Sequence, residues 1–272
     1  MTFSFLLIGA IVAYGIAAGL VLRSVYSQSN HPSHMKVAVG MAIVAVALQI
    51  THILLMRLNG APIDFSASTM ALIICAVVVV IYLLGCLSLE IQKLGILVFP
   101  LAALSVLFSL FWRGNSGVSA SPLWPLSAFS AHVLVSILAY SLLTIAAVQS
   151  VLYLYQEKQL QKRATPAALA SLPPLQTMET LLFRLVGMGF VLLSATLFSG
   201  ALFSNQLFGQ AFEFNHHTVL ASLGWLVFGA LLIRRWRSGI RGLPATILTL
   251  CGFALIQLGY FGTKIVTEAL TL

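Results

Sequence analysis

The 272-residue chain is too apolar to be a soluble domain. Hydrophobic residues make up 60% of it and charged residues only 7%, whereas about a quarter of the residues in an ordinary soluble protein are charged. The composition therefore indicates an integral membrane protein embedded in a lipid bilayer, organised as a single helical membrane domain over residues 1–272. The net charge of +8 does not indicate a nucleic-acid partner, because the basic residues lie in loops between apolar runs.

Eight apolar runs, each of about the 20 residues that cross a bilayer, predict an all-α polytopic membrane protein. The first run has no basic residue before it and Arg23 after it, the reverse of the charge order in a secretory signal peptide, so we expect it to be a transmembrane helix. Three prolines predict an irregular cytoplasmic linker over residues 165–177. The predicted helices cover residues 3–22, 37–56, 66–87, 94–112, 129–155, 180–203, 218–233 and 243–263.

Basic residues are distributed unevenly between the two predicted sides of the membrane. One side has only Arg57, Arg113 and Lys264. Because Lys and Arg accumulate on the cytoplasmic side, both termini are predicted to lie outside. The ten basic residues of the other side are Arg23, Lys36, Lys93, Lys158, Lys162, Arg163, Arg234, Arg235, Arg237 and Arg241.

Three histidines from distant parts of the chain are predicted to reach the same depth near the outer side. His52 lies about one turn inside the end of the second predicted helix, His132 about one turn inside the start of the fifth, and His217 at the start of the seventh. An ionisable side chain at the membrane is costly unless it has a partner, so each is a candidate functional residue.

The residues that follow two of these histidines are small at helical spacing. Ser136 and Ala139 follow His132, and Ala221 and Gly224 follow His217. Such faces would leave room for a flat cofactor between helices, and they would equally suit close helix packing.

Each histidine also has a purely structural interpretation. His52 could donate to a backbone carbonyl of a neighbouring helix, and His132 could be a packing histidine bonded to a nearby hydroxyl. His216 is either a hydrated loop residue or a ligand in place of His217. His31 and His34 belong to a polar cytoplasmic loop and are assigned no role.

The same histidines could instead bind a zinc ion or belong to an ion pathway. Three imidazoles would also bind zinc, with Asp64 or Glu213 as an additional ligand, although no HExxH motif is present. Asp64 is the only aspartate and no glutamate lies in the middle of a predicted helix, which argues against a carboxylate-driven ion pathway.

The three cysteines do not indicate redox or heme-attachment chemistry. Cys75, Cys86 and Cys251 all fall within apolar runs and form neither a CxxC pair nor a CxxCH motif. They are predicted to be small apolar residues that fill helix contacts. A thiol oxidoreductase and a c-type cytochrome are therefore not expected.

A combination of motifs in order resembles the cytochrome c assembly protein family, in particular its bacterial inner-membrane YpjD-like branch. The resemblance covers most of the chain and is strongest over residues 129–266. The motifs are Phe129-Ser-Ala-His132, Ala139-Tyr140, Ala146-Ala147, Leu172-Pro-Pro-Leu-Gln-Thr-Met-Glu-Thr-Leu-Leu-Phe183-Arg184, His217-Thr-Val-Leu-Ala-Ser-Leu-Gly-Trp225, Arg237-Ser-Gly-Ile-Arg-Gly242, Gly252-Phe253 and Gly259-Tyr-Phe-Gly262.

The resemblance implies a heme-handling membrane protein related to CcsA and CcmC, which bind heme at the outer face between histidines and present it to apocytochrome c. His132 matches the first external heme-ligand histidine of the family. The family's tryptophan-rich WGxxWxWD segment is absent from this sequence, and Ile233 stands where CcsA carries a membrane-embedded histidine. The resemblance therefore supports heme binding better than heme delivery to cytochrome c.

Together these features predict a protein, not an enzyme, that binds heme b non-covalently near the outer leaflet and acts in heme transport or chaperoning for cytochrome c assembly. Its expected partners are the lipid bilayer, heme, and other assembly subunits or an apocytochrome. His132 and His217 are the predicted axial ligands, with His52 as the leading substitute. Tyr140 and Ser136 are predicted to support the ligands, and Lys264 to offset a propionate charge. The alternative function is an ion or metal permease, or a membrane partner of an ion-transport system, in which the histidines are structural or bind a metal.

Overall fold

The computed structural model describes residues 4–26, 32–60, 63–89, 91–112, 119–120, 128–161, 173–208 and 216–270. The described chain is almost entirely helical. A 3-10 turn at Gln92–Leu94 precedes the fourth helix, and a π-helical turn at Leu258–Gly262 joins the last two. The helices are α1 (Ser4–Tyr26), α2 (Pro32–Leu58), α3 (Ala67–Ser88), α4 (Gly95–Phe111), α5 (Ala128–Gln161), α6 (Leu175–Phe208), α7 (His216–Ser238), α8 (Gly242–Gln257) and α9 (Thr263–Leu270).

Eight helical segments of the described chain are long and apolar enough to cross a membrane. Helices α1 to α7 supply one each, and the continuous stretch Gly242–Leu270, which contains α8, the π-helical turn and α9, supplies the eighth. The predicted all-α fold with eight transmembrane helices is confirmed. The side of the membrane on which the termini lie stays a prediction.

The helices are longer than the apolar runs that predict them. Helix α2 begins at Pro32 rather than at residue 37, and α7 begins at His216. Hydropathy locates the part of a helix that lies in lipid, whereas the backbone hydrogen bonds continue into polar segments until a stop signal. Helix α6 follows Pro173-Pro174 and starts at Leu175, within the predicted linker 165–177. Residues 165–172 of that linker lie outside the described residues.

Two compact units can be distinguished in the chain, and each is described by itself. The first comprises Met1–Pro122 with Tyr155–Leu175, and the second comprises Leu123–Leu154 with Gln176–Leu272. The single domain expected over residues 1–272 stays a prediction.

The first unit is held together by a buried amide. The Tyr14 hydroxyl donates to Gln49 Oε1 at 2.8 Å, and Gln49 Nε2 donates to the carbonyl of Leu72 at 2.8 Å. These bonds join α1, α2 and α3 inside an apolar region where an unpaired amide would be costly. Tyr82 and Phe99 meet edge to face at 5.4 Å between ring centroids and join α3 to α4. In the same unit, Ile63 pairs with Ala120 in a two-residue antiparallel ladder.

Helix α5 anchors the second unit through two side-chain hydrogen bonds to neighbouring backbones. Gln149 Nε2 donates to the carbonyl of Met178 on α6 at 3.0 Å, and the Tyr140 hydroxyl donates to the carbonyl of Ile256 on α8 at 3.1 Å. Both Gln149 and Tyr140 are buried. In lipid, a buried polar side chain has no partner other than the neighbouring helix. Hydrogen bonds between helices therefore fix the register in which the helices pack.

Helices α7 and α8 pack closely through glycines, with the side chains of one helix lying against the glycine of the other. A Cβ added at Gly224 would lie 2.7 Å from Ile256 Cγ1 and 3.0 Å from the carbonyl oxygen of Gly252. The ring of Phe228 lies 3.0 Å from a Cβ position at Gly252. Of the two alternatives left open for the small residues after His217, close helix packing is the one found, since Ala221 and Gly224 are both buried.

A partly buried ion pair links α6 and α7 in the second unit. Arg235 Nη1, on α7, lies 2.7 Å from Glu179 Oε1 on α6 and also donates to the carbonyl of Ile240 at 3.0 Å. The guanidinium carbon lies 4.3 Å from the centroid of the Phe183 ring. One arginine therefore holds together two helices and the turn that follows α7.

We expect Arg235→Gln to lower the free energy of unfolding by about 1–3 kcal/mol, because Glu179 would be left with a poorer partner. The measurement is reversible denaturant unfolding of the purified protein in detergent. Arg234→Gln is the matched control, since Arg234 is exposed and the change in net charge is the same. Equal stability of the two variants would contradict a role for the ion pair.

Candidate functional site

His132 lies on the first turns of α5 and is held against α6. Its Nδ1 atom is 2.7 Å from the hydroxyl oxygen of Ser199. The ring is half-buried, and a Cβ added at Gly200 would stand 3.4 Å from His132 Cε1. The hydroxyl bond anticipated by the structural interpretation of His132 is therefore present, and it leaves the second ring nitrogen without a hydrogen-bond partner among the described residues.

The two supporting residues predicted on α5 do not touch the His132 ring through hydrogen bonds. Ser136 Oγ donates to the carbonyl oxygen of His132 at 2.7 Å, so it is bonded to the helix backbone. Tyr140 is buried and donates to Ile256 on α8. Their predicted roles at a cofactor stay predictions.

His217 is the second residue of α7 and is exposed. Its ring meets Tyr260 edge to face, with 5.8 Å between the centroids and 70° between the planes. Tyr260 in turn meets Tyr140 at 5.8 Å. An aromatic series therefore runs from the start of α7 through the π-helical turn to the interior of α5.

The π-helical turn positions Tyr260 for this contact. Gly259 lies against the first turn of α7, where a Cβ would be 3.3 Å from the carbonyl oxygen of His217 and 3.1 Å from Leu220 Cβ. A larger residue at position 259 would require these neighbouring atoms to move by a few tenths of an ångström. Since a π-helical turn shifts the side chains after it relative to a regular α-helix, the turn determines which face of α9, the helix that carries Lys264, lies on the side of His217.

His132 and Lys264 both lie close enough to His217 to act on its imidazole electrostatically. Lys264 is half-buried on α9. The structure thus brings together two imidazoles, one ammonium group and one tyrosine ring from four helical segments of the second unit. Imidazole nitrogens are good ligands for iron, copper and zinc, and an ammonium group beside them favours an anionic substituent on the bound species.

The other described histidines are His52 and His34, which belong to the first unit, and His216, which is next to His217 in the chain. His52 is half-buried on α2 in the first unit, and the depth that it was predicted to share with the other two stays a prediction. His216 is exposed beside His217, and His34 lies on α2. His31 lies outside the described residues.

No group of three or more His, Cys, Asp and Glu side chains that could hold a metal ion occurs within the described part of the chain. The additional zinc ligands considered from the sequence were Asp64 and Glu213. The side chain of Asp64 and the whole of Glu213 fall outside the described residues, so that alternative stays a hypothesis.

Ser199 and Tyr260 were not identified as site residues from the sequence. Ser199 is one of several small polar residues in an apolar run, and Tyr260 stands between two glycines in a motif of the family. Nothing local distinguishes Ser199 from Ser194, which accepts a hydrogen bond from the Trp225 indole instead. Glu268, only 2% exposed on α9, lies beyond the predicted eighth run and was also missed.

One family model and several known proteins are similar in sequence to this chain. The family model described as cytochrome C assembly protein matches residues 40–271. A cytochrome c biogenesis protein CcsA of Chlamydomonas reinhardtii is 30% identical over 70% of this chain and 54% of its own length. The inner membrane protein YpjD of Escherichia coli is 29% identical over 52% of each chain, and an uncharacterized protein of Azospirillum brasilense is 36% identical over 51% of each.

This chain spans about half the length of these curated relatives. No solved structure matches it.

Proposed function

Because the chain belongs to the cytochrome c assembly protein family, we propose that it is a heme-binding protein that acts in heme transport or chaperoning for cytochrome c assembly. The observation that carries the proposal is the juxtaposition of His132 and His217 in the second unit. Heme is the cargo in this function, so the protein binds and releases it rather than transforming it.

The residues present fit heme b by their chemistry. His132 and His217 come from different helices and could supply the two axial nitrogens of six-coordinate iron. No acidic side chain of the described residues pairs with either imidazole. Because His217 is exposed and His132 half-buried, the heme would be held at an open edge of the unit, which suits a cargo that must leave.

The close packing of α7 against α8 limits where heme could lie. The faces below Ala221 and Gly224 are filled by α8 and leave no space for a macrocycle. We therefore propose that heme contacts the ends of α5, α7 and the π-helical turn, with the Tyr260 ring beside it. Heme bound at a helix end stays accessible to an apocytochrome or another assembly subunit.

The decisive test of heme binding is the pyridine hemochrome assay on protein purified in detergent. We expect the spectrum of heme b at up to one heme per chain, with no covalently attached heme. Elemental analysis of the same sample measures iron and zinc. Stoichiometric zinc without hemochrome would contradict the proposal and favour the alternative in which the chain serves an ion or metal permease.

The role in cytochrome c assembly is tested separately in a bacterium that lacks the chain. Covalently bound heme in its c-type cytochromes is measured by heme staining after denaturing electrophoresis. We expect less stained cytochrome c, restored by the wild-type chain. A normal level of every c-type cytochrome would contradict the assembly role, even if the purified protein binds heme.

Lys264 is proposed to pair with a heme propionate. Lys264→Gln is expected to weaken heme binding by up to about fivefold at low ionic strength, since an ion pair that water still reaches contributes at most about 1 kcal/mol. The difference should shrink as salt is added. Binding is measured by titration of apoprotein with heme and with heme dimethyl ester, which lacks the propionate charges.

Lys264→Arg should bind heme like the wild type, and Lys158→Gln, on an exposed part of α5, is the charge-matched control. If Lys264→Gln weakens the binding of the dimethyl ester as much as that of heme, Lys264 does not act on a propionate.

A further inference from the structure

Ser199 makes two kinds of contact with its single hydroxyl group. Its oxygen lies 2.7 Å from Nδ1 of His132 on the neighbouring helix. The same oxygen lies 2.7 Å from the carbonyl oxygen of Ala195 and 3.1 Å from that of Thr196 on its own helix. A hydroxyl has one proton to donate, so these contacts cannot all be donated by Ser199.

The position of that proton follows from the carbonyl contact. Two oxygen atoms 2.7 Å apart repel each other unless a proton lies between them, and a carbonyl oxygen carries none. The Ser199 proton must therefore point toward Ala195, with Thr196 sharing it. The hydroxyl oxygen is then an acceptor toward His132, and the proton between the two residues belongs to the imidazole.

We propose that Ser199 is a positioning residue that holds His132 in the tautomer protonated at Nδ1, so that the lone pair of Nε2 is free to bind iron. The inference rests on the proposed function for its ligand, but the tautomer itself is a property of the protein without heme. A metal-bound histidine commonly donates its other N–H to an oxygen acceptor, which fixes the ring and makes the ligand more basic.

The neighbouring glycine contributes to the same arrangement. With no side chain at position 200, the edge of the imidazole at Cε1 can lie against α6, 3.4 Å from the Cβ position of Gly200. Ser199 is also the only described side chain within hydrogen-bond distance of the His132 ring, because Ser136 bonds the backbone carbonyl instead. The imidazole ring of His132 therefore packs against Ser199 and Gly200 on α6.

The first experiment uses the protein without heme. Nitrogen NMR of histidine-labelled protein in detergent reports which ring nitrogen carries the proton, and His132→Gln identifies the signals of His132. In the wild type we expect a protonated Nδ1 and an unprotonated Nε2. In Ser199→Ala the populations should shift toward the form protonated at Nε2, and Ser199→Thr should restore the wild-type pattern.

Thr196→Val is the matched control, because the Thr196 hydroxyl bonds the carbonyl of Leu192 on its own helix and its loss leaves the His132 contact intact. A wild-type His132 protonated at Nε2, or a tautomer unaffected by Ser199→Ala, would overturn the inference whether or not the protein binds heme.

The second experiment measures heme affinity and midpoint potential of the same variants. We expect Ser199→Ala to bind heme about 10–100-fold more weakly and to have a more positive potential, with Ser199→Thr close to the wild type. Absence of heme binding by the wild type would refute the proposed function and leave the tautomer result standing. Unchanged affinity and potential in Ser199→Ala would show that the hydroxyl does not act on the iron ligand.

Discussion

His132→Ala and His217→Ala are each expected to reduce bound heme at least about tenfold and to weaken the Soret band of the purified protein. Loss of one imidazole leaves iron with a single protein ligand, which should cost at least as much as the loss of a supporting group, about 10–100-fold. Both variants should give the spectrum of heme iron with one histidine ligand, either five-coordinate or with water as the sixth ligand. The measurement is the optical spectrum together with the heme content per chain.

Three further variants separate ligation from other effects of losing a histidine. His34→Ala is the control, since His34 is assigned no role. His216→Ala decides between the two neighbouring histidines at the start of α7, and His52→Ala tests the substitute ligand on α2. Both are expected to retain the wild-type spectrum. A band lost in either of these and kept in His217→Ala would transfer the second ligand to that residue.

Chemical rescue distinguishes a missing ligand from a misfolded site. His132→Gly leaves space at the ligand position, and free imidazole added to the buffer should restore the six-coordinate spectrum if the rest of the site is intact. An unchanged Soret band in both His132→Ala and His217→Ala would contradict the assignment of these two histidines as iron ligands.

Gly224→Ala is expected to lower the free energy of unfolding by about 1–3 kcal/mol through overpacking. The added methyl group would meet Ile256 at 2.7 Å and the Gly252 carbonyl oxygen at 3.0 Å. The backbone of α8 is held at this point, because the carbonyl of Ile256 accepts the Tyr140 hydrogen bond. The helices must separate, and the contact between His217 and Tyr260 should loosen with them.

Gly187→Ala is the matched control for this substitution. Nothing lies within 4 Å of a Cβ added at Gly187, and alanine is the better helix former by about 1 kcal/mol. Gly187→Ala should therefore be neutral or slightly stabilising. Reversible unfolding in mixed detergent measures the stability of both variants, and their heme content reports whether the heme site is intact. Equal stability of Gly224→Ala and the wild type would contradict the close approach of α7 and α8.

The sequence predicted the membrane architecture because that architecture depends on local composition. Runs of apolar residues had to be helical and about 20 residues long, since a bilayer leaves backbone groups no other partners. The ends of the helices were missed by several residues, as at Pro32 and Leu175. Hydropathy marks where lipid ends and says little about where backbone hydrogen bonds end.

Of the contacts that His132 and His217 make, the sequence predicted only a hydroxyl partner for His132. His132 and His217 stood out because an imidazole beside lipid needs a partner. The small residues after His217 were compatible with two structures, and the sequence alone could not choose between them. Ala221 and Gly224 pack against α8 because the removal of side-chain volume lets two helices approach, and the same property would have admitted a cofactor.

By itself, the sequence determined the number of transmembrane helices and the histidines that deserve testing, since both follow from the chemistry of short segments. Only the tertiary structure decided what each histidine contacts. His132 and Ser199 are 67 residues apart, and their hydrogen bond exists because α5 and α6 pack in one particular register. That register is the sum of many contacts between helices, and no pattern within either helix specifies it.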